Sequence, residues 1–368
     1  KWSYDLLDAR EQRFFRRLSV FVNGWTLEAV EAVVSAEKER DGHVLPALDG
    51  VASLLDKSLL LPMERDEVEP HPIMLETIRE YGLERLAESG ELEMARRAHA
   101  AYYLAQAEQA EKEQGGEQQA AWLEWLEREH ENMRAALQWL LEQKEPEDLE
   151  KALRLAGALW WFWSLRGYVS EGRSWLKRAL ERSEHAGSAA RAKALSSAGM
   201  LALNQDDYSQ TEVLCRQSRA LFEELGDMQG MATALYRLGL AAWLRGNQTA
   251  ARALQEQSLA LYREVGDRRG TADPLLILSD LAFAEGEYSR AYTQAEESLG
   301  IFRELDDKWG VAYVLPRLAR ALTVQGEVAR ARTLVEESLA LSREIHYKEG
   351  IGDALGFLGR IQLQQGET

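Results

Sequence analysis

A forty-residue register runs through most of this 368-residue chain and constrains its fold more than any other feature. Glycines and serines return at the same place in each period. The members are Gly230, Gly270, Gly310 and Gly350; Ser218, Ser258, Ser298 and Ser338; and Gly246, Gly286, Gly326 and Gly366, with Asp206 and Arg166 at the same place upstream. A fixed period of about 20–50 residues indicates a solenoid of stacked repeats.

Each period contains two helix-length stretches separated by short turns. In the plainest unit, the sequence predicts a first helix over residues 231–245, a turn at Gly246, and a second helix over residues 249–265. Full units begin near residues 148, 188, 228, 268 and 308, which makes five, and a lone first helix follows from about residue 348. Because a repeat buries its apolar face only against its neighbours, we expect this unpaired helix to fray or to pair with another chain.

The first 90 residues follow a different pattern, and we expect them to form a separate domain over residues 1–90. The predicted elements are helices over residues 8–22, 26–36 and 45–56, strands over 58–63 and 70–74, and a closing helix over 76–87. Phe14, Phe15 and Leu18 give the first helix one apolar face. Three helices, a hairpin and a closing helix predict a winged-helix domain.

The charge of this domain argues against contact with nucleic acid. Residues 1–90 contain 11 Lys and Arg against 18 Asp and Glu. The third helix offers Asp49 and Asp56 with only Lys57, whereas a helix in the major groove brings Arg, Lys, Asn or Gln to the bases. The predicted wing at residues 64–69 is also acidic. We do not expect DNA binding here, and direct DNA binding by the winged helix is kept as an alternative.

Residues 91–146 predict a long helical hairpin. Its two helices, over residues 92–113 and 122–143, flank the break at Gly115 and Gly116, and each has an apolar face. Such a hairpin either caps the first hydrophobic face of the solenoid or acts as a rigid arm, and the two roles are compatible. His99 and His130 lie on separate helices without a third ligand, so no metal site is predicted.

The solenoid occupies residues 147–368, and its first helices are expected to line the concave face. The side of each first helix that is not used within its repeat supplies the candidate ligand-binding residues. They are Trp160, Trp163, Lys193, Asn204, Tyr236, Trp243, Asp273, Asp280, Phe283, Tyr313, Arg317, Arg320, Asp353 and Arg360. Aromatic and Arg residues dominate the hot spots of protein interfaces. They are also core residues, so packing is the alternative for each ring, and we expect Trp161 and Phe162 to be core.

Two residues inside the array carry expectations of their own. Pro316 falls within a first helix and removes one backbone hydrogen bond, which predicts a kink or a late helix start. Cys215 is the only cysteine and lies among apolar neighbours, so we expect a buried, inert thiol. A single cysteine cannot form an internal disulfide and is typical of a reducing compartment, so we expect a cytoplasmic location.

Composition narrows the classes of function. A net charge of −17 disfavours nucleic acid and anionic membranes as partners. No run approaches the roughly 18 apolar residues of a membrane span. No nucleophile–base pair, carboxylate pair or metal cluster emerges, so we expect no enzyme activity, metal or cofactor in this chain. Because the chain begins and ends in the middle of a pattern, we expect it to be a fragment of a longer protein.

Several short strings resemble those of one protein family. They lie at residues 5–8 (Asp-Leu-Leu-Asp), 14–21, 54–59 and 74–81, and a further string lies at residues 122–132. The chain resembles STAND-type signal-transduction ATPases, in particular bacterial regulators that join an NB-ARC-like ATPase to tetratricopeptide repeats. The repeat spacing is similar to that of the tetratricopeptide repeat, lengthened from 34 to about forty residues. The resemblance implies a mainly α protein, in which a winged-helix domain precedes a right-handed α-solenoid of extended repeats.

The resemblance also implies an ATPase domain upstream, where ATP or ADP would bind. No G-x-x-x-x-G-K-[ST] loop occurs in this sequence, so no nucleotide is expected on this chain. Related proteins carry a Met-His-Asp motif whose His reaches the nucleotide, and the matching positions here are Met74, Leu75 and Glu76. Leu75 cannot hydrogen-bond a phosphate, and nearby His71 could substitute. These four residues form the expected interdomain or nucleotide-sensing set.

We therefore interpret the chain as the sensor and regulatory portion of a signalling ATPase. In this interpretation the concave face recognises a protein or peptide, and the winged helix relays the bound state to the upstream nucleotide-binding domain. The first alternative is that the solenoid senses a small-molecule inducer, sugar-like as the resemblance implies for relatives, to control a transcription regulator. The second alternative is direct DNA binding by the winged helix.

Overall fold

The computed structural model describes residues 2–35, 45–63, 71–114, 118–183, 188–345 and 347–365. The chain is mainly helical and divides into two compact units. The first unit comprises Lys1–Gln109 and Leu123–Ala158, and the second comprises Ala110–Trp122 and Leu159–Thr368. The segments expected at 1–90, 91–146 and 147–368 are thus grouped differently, because most of the hairpin and the helix after it belong with the winged helix.

The N-terminal part of the first unit is a winged helix. Its elements are α1 (Trp2–Asp5), α2 (Ala9–Leu18), α3 (Leu27–Val34), α4 (Ala47–Asp56), β1 (Leu61–Met63), β2 (His71–Ile73) and α5 (Glu76–Glu88). Asp8 starts α2 with a capping box, since its carboxylate accepts from the backbone N–H of Glu11 at 2.9 Å while Glu11 accepts from that of Asp8 at 2.9 Å. The strands pair antiparallel. The predicted fold is confirmed, and the predicted acidic wing lies outside the described residues.

Four helices follow the winged helix along the chain. They are α6 (Leu92–Lys112), α7 (Gln119–Arg128), α8 (His130–Glu142) and α9 (Pro146–Ala158). The single helix expected over residues 122–143 is interrupted at Glu129. The Glu129 carboxylate is buried, and it accepts hydrogen bonds from the Tyr103 hydroxyl at 2.6 Å and from Asn132 Nδ2 at 2.8 Å. The interruption therefore coincides with a buried polar group that the apolar pattern does not reveal.

A buried polar network inside the first unit joins the winged helix to α8. The Oδ1 atom of Asn132 accepts from the backbone N–H of Val22 at 2.8 Å, and its Nδ2 donates to the carbonyl of Gly24 at 3.0 Å. His99 is buried beside them, with Nε2 at 3.4 Å from Asn132 Oδ1. Burial lowers the pKa of His99 to about 4, so the ring is neutral at physiological pH. We call His99, Tyr103, Glu129 and Asn132 the junction network.

The second unit is a stack of helix pairs. Its helices are α10 (Trp160–Arg166), α11 (Val169–Arg182), α12 (Ala189–Leu203), α13 (Tyr208–Leu225), α14 (Met228–Leu244), α15 (Gln248–Glu264), α16 (Arg268–Ala284), α17 (Tyr288–Glu304), α18 (Lys308–Val324), α19 (Val328–Glu344) and α20 (Lys348–Gln365). Even-numbered helices are the first helices of repeats and odd-numbered ones the second. The predicted right-handed solenoid of extended repeats is confirmed.

The periodic glycines lie where one repeat meets the next. In α18, Asp307 is the N-cap and accepts from the backbone N–H of Gly310 at 2.8 Å. A Cβ added to Gly310 would lie 2.2 Å from Cδ1 of Phe302 on the preceding second helix. The same arrangement holds one and two periods earlier, at Asp267 with Gly270 and Asp227 with Gly230. The forty-residue register therefore arises from a repeated contact in which an N-cap aspartate, a glycine and an aromatic ring pack together.

The periodic serines join the two helices of each repeat. Ser298 Oγ, on α17, donates to the carbonyl of Ala272 on α16 at 3.0 Å. Its equivalents form the same bond 26 residues back along the chain, at 2.7 Å for Ser218, 2.8 Å for Ser258 and 2.7 Å for Ser338. Each of these serines is buried, so the bond satisfies a hydroxyl that would otherwise lose its water.

The turn glycines behave as the register predicts except at its upstream end. Gly246 has φ of 80°, a left-handed conformation that glycine adopts without strain, and Asp206 holds the equivalent position with φ of 58°. Arg166 does not, because it is the last residue of α10 and Gly167 takes the left-handed conformation with φ of 83°. The turn is thus displaced by one residue in this repeat.

Two expectations about single residues have different outcomes. Of the two alternatives predicted for Pro316, a kink or a late helix start, the late start is wrong, because α18 runs continuously from Lys308 to Val324 with the proline inside it. The prediction for Cys215 is confirmed: the residue is buried, and burial raises the pKa of its thiol to about 11. Its Sγ lies 2.5 Å from where a Cβ on Gly199 would stand, which explains the small residue at that point of the repeat.

Candidate functional site

The first helices of consecutive repeats lie side by side in the second unit. Contacts join α10 to α12, α12 to α14, α14 to α16, α16 to α18 and α18 to α20. We call the surface that these helices form the inner face. All the predicted concave-face residues of the second unit lie on these helices or at their ends.

Five predicted residues come together between α16 and α18. Buried Asp280 receives two guanidinium groups, with Arg317 Nε at 3.1 Å from one carboxylate oxygen and Arg320 Nη2 at 2.6 Å from the other. The guanidinium carbon of Arg317 lies 4.0 Å from the ring centroid of Tyr313, and that of Arg320 lies 4.0 Å from the ring centroid of Phe283. Two arginines thus share one carboxylate, which leaves this cluster with a net positive charge.

A tryptophan that the register did not single out extends this cluster. Trp309 stacks on Tyr313, with ring centroids 5.0 Å apart and ring planes 11° apart. Its indole N–H is buried and has no hydrogen-bond partner. The available signal was the position of Trp309 one turn before Tyr313 on the same helix, since residues four apart lie on one face.

Asp273 pairs with an arginine that was also missed. Arg269 Nη1 lies 3.2 Å from Asp273, and its Nη2 lies 3.3 Å from Oδ2 of the cap residue Asp307. That second contact is a charge contact rather than an aligned hydrogen bond, because Asp307 Oδ2 has no hydrogen-bond partner. Burial raises the pKa of Asp307 to about 6, against the opposing effect of Arg269.

Trp160 meets a fourth arginine, Arg237 of α14. The guanidinium carbon of Arg237 lies 4.8 Å from the Trp160 ring centroid, and Nη1 donates to Ser196 Oγ at 2.8 Å. Arg237 is only 7% exposed. A signal for it existed in the sequence, because Arg237 stands two full periods before the predicted residue Arg317.

The remaining predicted residues have varied surroundings. Tyr236 and Trp243 are half-buried and pack against the apolar core of the second unit, and burial raises the pKa of Tyr236 well above its usual value. Lys193 pairs with Glu111. Exposed Asn204 donates to Ser164 Oγ at 2.7 Å.

Asp353 and Arg360 lie apart from the Asp280 cluster, and both are exposed on α20. The guanidinium carbon of Arg360 lies 5.2 Å from the Phe357 ring centroid. Among the contacts of the described residues, none joins this pair to the arginines of α18. The predicted set is therefore one cluster with outlying members.

The prediction that Trp163 lines an open groove is wrong. Its side chain is 1% exposed, and its ring atoms lie 2.5 Å from where a Cβ on Gly172 of α11 would stand. The ring therefore fills the space between the two helices of its own repeat. Trp161 and Phe162 are buried as predicted. Of the rings at 160–163, only that of Trp160 is partly exposed, since steps of about 100° point successive side chains in different directions.

The predicted nucleotide-sensing residues surround the start of α5. Met74 is buried and accepts a hydrogen bond from Ser19 Oγ at 3.7 Å, while Leu75 is exposed and is the N-cap residue without a side-chain cap. Exposed Glu76 pairs with Arg79 at 2.7 Å, and this bond lowers the pKa of the carboxyl. His71 begins β2, and its side chain lies outside the described part of the structure.

The solvent-facing side of α4 carries no basic residue. It presents Leu48, Asp49, Ala52 and Asp56. Lys57, just after the helix, pairs with Glu11 of α2. A helix with this surface lacks the groups that contact phosphates and base edges.

Other kinds of site find little support within the described ranges. No group of three or more His, Cys, Asp or Glu side chains there could hold a metal ion. Among the same residues, no helix is long and apolar enough to cross a membrane.

Comparison with known protein families supports both domains. A winged helix-turn-helix domain model matches residues 7–87, and a tetratricopeptide repeat model matches residues 230–304. These matches agree with the fold of each region.

Several solved structures share the fold. A Signal Transduction ATPase with Numerous Domains (STAND) protein with a tetratricopeptide repeat sensor, from Pyrococcus horikoshii, aligns with 96% of this chain and 54% of its own at a TM-score of 0.55 and 15% identity. The Rap conjugation gene regulator of the plasmid pLS20, in complex with the Phr* peptide, aligns with 69% of this chain and 78% of its own at a TM-score of 0.51 and 10% identity. At such identities the likeness concerns the fold alone.

Relatives by sequence occur in mycobacteria. A Mycobacterium tuberculosis protein named "Putative HTH-type transcriptional regulator" is 34% identical over 242 residues, which is 64% of this chain and 26% of the relative. An "Uncharacterized protein" of the same bacterium is 33% identical over 91 residues, which is 25% of this chain and 22% of that protein. The chain thus spans about a quarter of the length of the curated relatives it matches, and it combines a winged helix with tetratricopeptide repeats.

Proposed function

We propose that this chain is the sensor and relay portion of a signalling regulator, and that its inner face binds a peptide segment of a partner protein. The observation that carries this proposal is the cluster around Asp280. Two partly exposed guanidinium groups are held there against partly exposed rings of Tyr313 and Phe283. Preorganised Arg and aromatic side chains are those that contribute most to protein–protein binding, because little side-chain entropy is lost when a partner docks.

The spacing of the inner face suits an extended peptide. First helices in direct contact are about 8–10 Å apart, and an extended chain advances about 3.3 Å per residue. Every third residue of a bound peptide would therefore meet a new first helix. A sugar-sized ligand would contact one or two helices and leave the arginines of α14 and α18 without a common partner.

The comparisons support the same proposal. One structure with this fold is described as a STAND protein with a tetratricopeptide repeat sensor, and another is described in complex with a peptide. The mycobacterial relative is named as a transcriptional regulator. Since α4 offers no basic surface, the winged helix acts in this proposal as a relay to an upstream ATPase that binds ATP or ADP, rather than as the DNA reader.

Peptide selection on the 368-residue chain tests the sensor proposal. We expect a displayed peptide library to yield binders whose affinity falls about tenfold or more in Tyr313→Ala, since a hot-spot ring contributes roughly 2 kcal/mol. Tyr208→Ala is the matched control, because Tyr208 lies on a second helix, where its hydroxyl donates to the neighbouring Asp206 carboxylate at 2.7 Å. The proposal fails if no peptide binds, or if both variants bind equally well. Saturable heat from a sugar in calorimetry would favour the inducer alternative.

A further inference from the structure

Arg237 is a buried charge without a counter-charge. It is 7% exposed, and its contacts are one hydrogen bond to Ser196 and the face of the Trp160 ring. No carboxylate of the described residues lies within ion-pair distance of its guanidinium group. Burial lowers the pKa of Arg237, although an arginine stays charged at any physiological pH.

Three other arginines of first helices also lie over aromatic rings, and each of the three is paired. Arg269 contacts Asp273 and Asp307, and Arg317 and Arg320 contact Asp280. An uncompensated buried charge costs several kcal/mol, which is why buried charges in proteins are normally paired. Arg237 therefore bears a desolvation cost that no ion pair among the described residues offsets.

The guanidinium group retains donors for a ligand. An arginine has five N–H donors in a planar fork, and Ser196 takes one of them. The Nε and Nη2 atoms have no partner among the described residues, and neither is fully buried, so both keep some contact with solvent. Such an edge matches the two oxygens of a carboxylate or of a phosphate.

We propose that Arg237 is the anchor of an anion subsite on the inner face, which takes one carboxylate of a bound peptide while the Trp160 ring packs beside it. The carboxylate is either the peptide C-terminus or an Asp or Glu side chain. The peptide as carrier rests on the proposed function, whereas the affinity for a carboxylate rests on Arg237 alone.

A single carboxylate fits the surroundings better than a polyanion. The chain has a net charge of −17, which repels ligands with many negative charges. Glu111, the acidic residue whose field reaches Arg237, is held by Lys193. A monoanion with an apolar neighbour would gain a charge-assisted bidentate pair and an aromatic contact, without the repulsion that a phosphate chain would meet.

Titration of the wild-type chain tests the subsite directly. The Nε–H resonance of Arg237 is assigned in the ¹⁵N NMR spectrum by its absence in Arg237→Lys. We expect it to shift saturably with N-acetylleucine, and at least tenfold more weakly with N-acetylleucinamide, which lacks the carboxylate. An unchanged resonance at about 50 mM, well above the millimolar range of a single charged contact, overturns the proposal. A tighter response to inorganic phosphate overturns the assignment to a carboxylate.

A stability measurement separates this role from a structural one. Arg237→Gln removes the unpaired charge, so we expect its unfolding midpoint in urea to equal or exceed that of wild type. Arg269→Gln is the matched control, and we expect it to lower the midpoint because it leaves Asp273 and Asp307 without their partner. If Arg237→Gln is destabilised as much as Arg269→Gln, and the wild-type resonance does not shift, Arg237 is only structural.

Selected peptides distinguish this inference from the sensor proposal. Amidation of the peptide C-terminus, or Asp→Asn and Glu→Gln changes within it, should reduce affinity about 10- to 100-fold for wild type and not for Arg237→Gln. If peptides bind but neither change matters, the subsite is refuted and the sensor proposal stands. If N-acetylleucine saturates Arg237 and no peptide binds, the subsite stands and its assignment to a peptide fails.

Discussion

Single residues determine how closely neighbouring repeats can approach. Gly230, Gly270 and Gly310 each face an aromatic ring of the previous repeat at a distance that excludes a methyl group. The N-cap aspartate three residues earlier binds the backbone N–H of that glycine. Glycine is therefore required at this position because a Cβ would collide with the ring, and not because the backbone needs a left-handed conformation.

We predict that Gly310→Ala destabilises the second unit by about 1–3 kcal/mol, the usual cost of overpacking a well-packed site. The added Cβ would stand 2.2 Å from Phe302. Gly300→Ala is the control, because nothing lies within 4 Å of a Cβ at that exposed position of α17. The control should be neutral or gain up to about 1 kcal/mol from helix propensity. The measurement is urea unfolding of both variants. Equal unfolding midpoints for Gly310→Ala and Gly300→Ala would show that close packing against Phe302 does not require glycine.

At the scale of elements, the junction network links the winged helix to the helices that follow it inside the first unit. Asn132 of α8 binds backbone groups of Val22 and Gly24, in the connection between α2 and α3. His99 of α6 lies beside it in the neutral state. A buried network of this kind is strong only while every member is satisfied, so it responds to protonation.

We predict that the first unit loses stability as pH falls from 6.5 towards 4. The pKa of His99 is lowered from 6.5 in the unfolded chain to about 4 in the fold. Below pH 6.5 the unfolded chain therefore binds a proton at His99, whereas the folded unit does not. The free energy of unfolding of this unit accordingly declines by up to about 3 kcal/mol as the pH falls from 6.5 to 4. The measurement is amide hydrogen exchange in α6 and α8, corrected for intrinsic rates.

His99→Gln is the control and should flatten that dependence between pH 6.5 and 4.5. The readout has to be local, because burial raises the pKa of Asp307 to about 6 and gives the second unit the opposite trend. If the pH dependence of amide exchange in α6 and α8 is the same in His99→Gln as in wild type, a group other than His99 titrates in this range.

The register predicted most of the helices, because their signals are local and repeated. It failed where the decisive contact is not periodic. The buried ring of Trp163 depends on the small residue Gly172, and the break at Glu129 coincides with the polar contact to Tyr103. Arg237 could have been found from its register with Arg317, whereas its lack of a carboxylate could be seen only in three dimensions.

At the scale of the molecule, the chain combines a winged-helix domain with a stack of tetratricopeptide-like repeats. The inner face lies in the second unit, and the winged helix and junction network lie in the first. In the proposed function, a bound peptide changes the stacking of first helices, and the helices after the winged helix transmit that change to the upstream ATPase.

We predict that a flexible Gly-Ser-Gly-Ser insertion after Gln143, in the connection between α8 and α9, uncouples ligand binding from ATPase control in the ATPase-containing regulator of the proposed function. Peptide affinity should be unchanged, because the inner face is intact. The measurement is ATP turnover with and without peptide, and the same four residues added after Thr368 serve as the control. A ligand response as large as that of the control would rule out rigid transmission through this connection.

The cap, glycine and ring that recur at three successive repeat boundaries have a consequence for how such arrays change over generations. Since neighbouring repeats meet through the same three residue types, homologous recombination forty codons out of register would join two compatible surfaces in frame. Such recombination can thus lengthen or shorten the array by whole repeats. The chemistry of the inner face, where most residues differ from one repeat to the next, is left to point substitution.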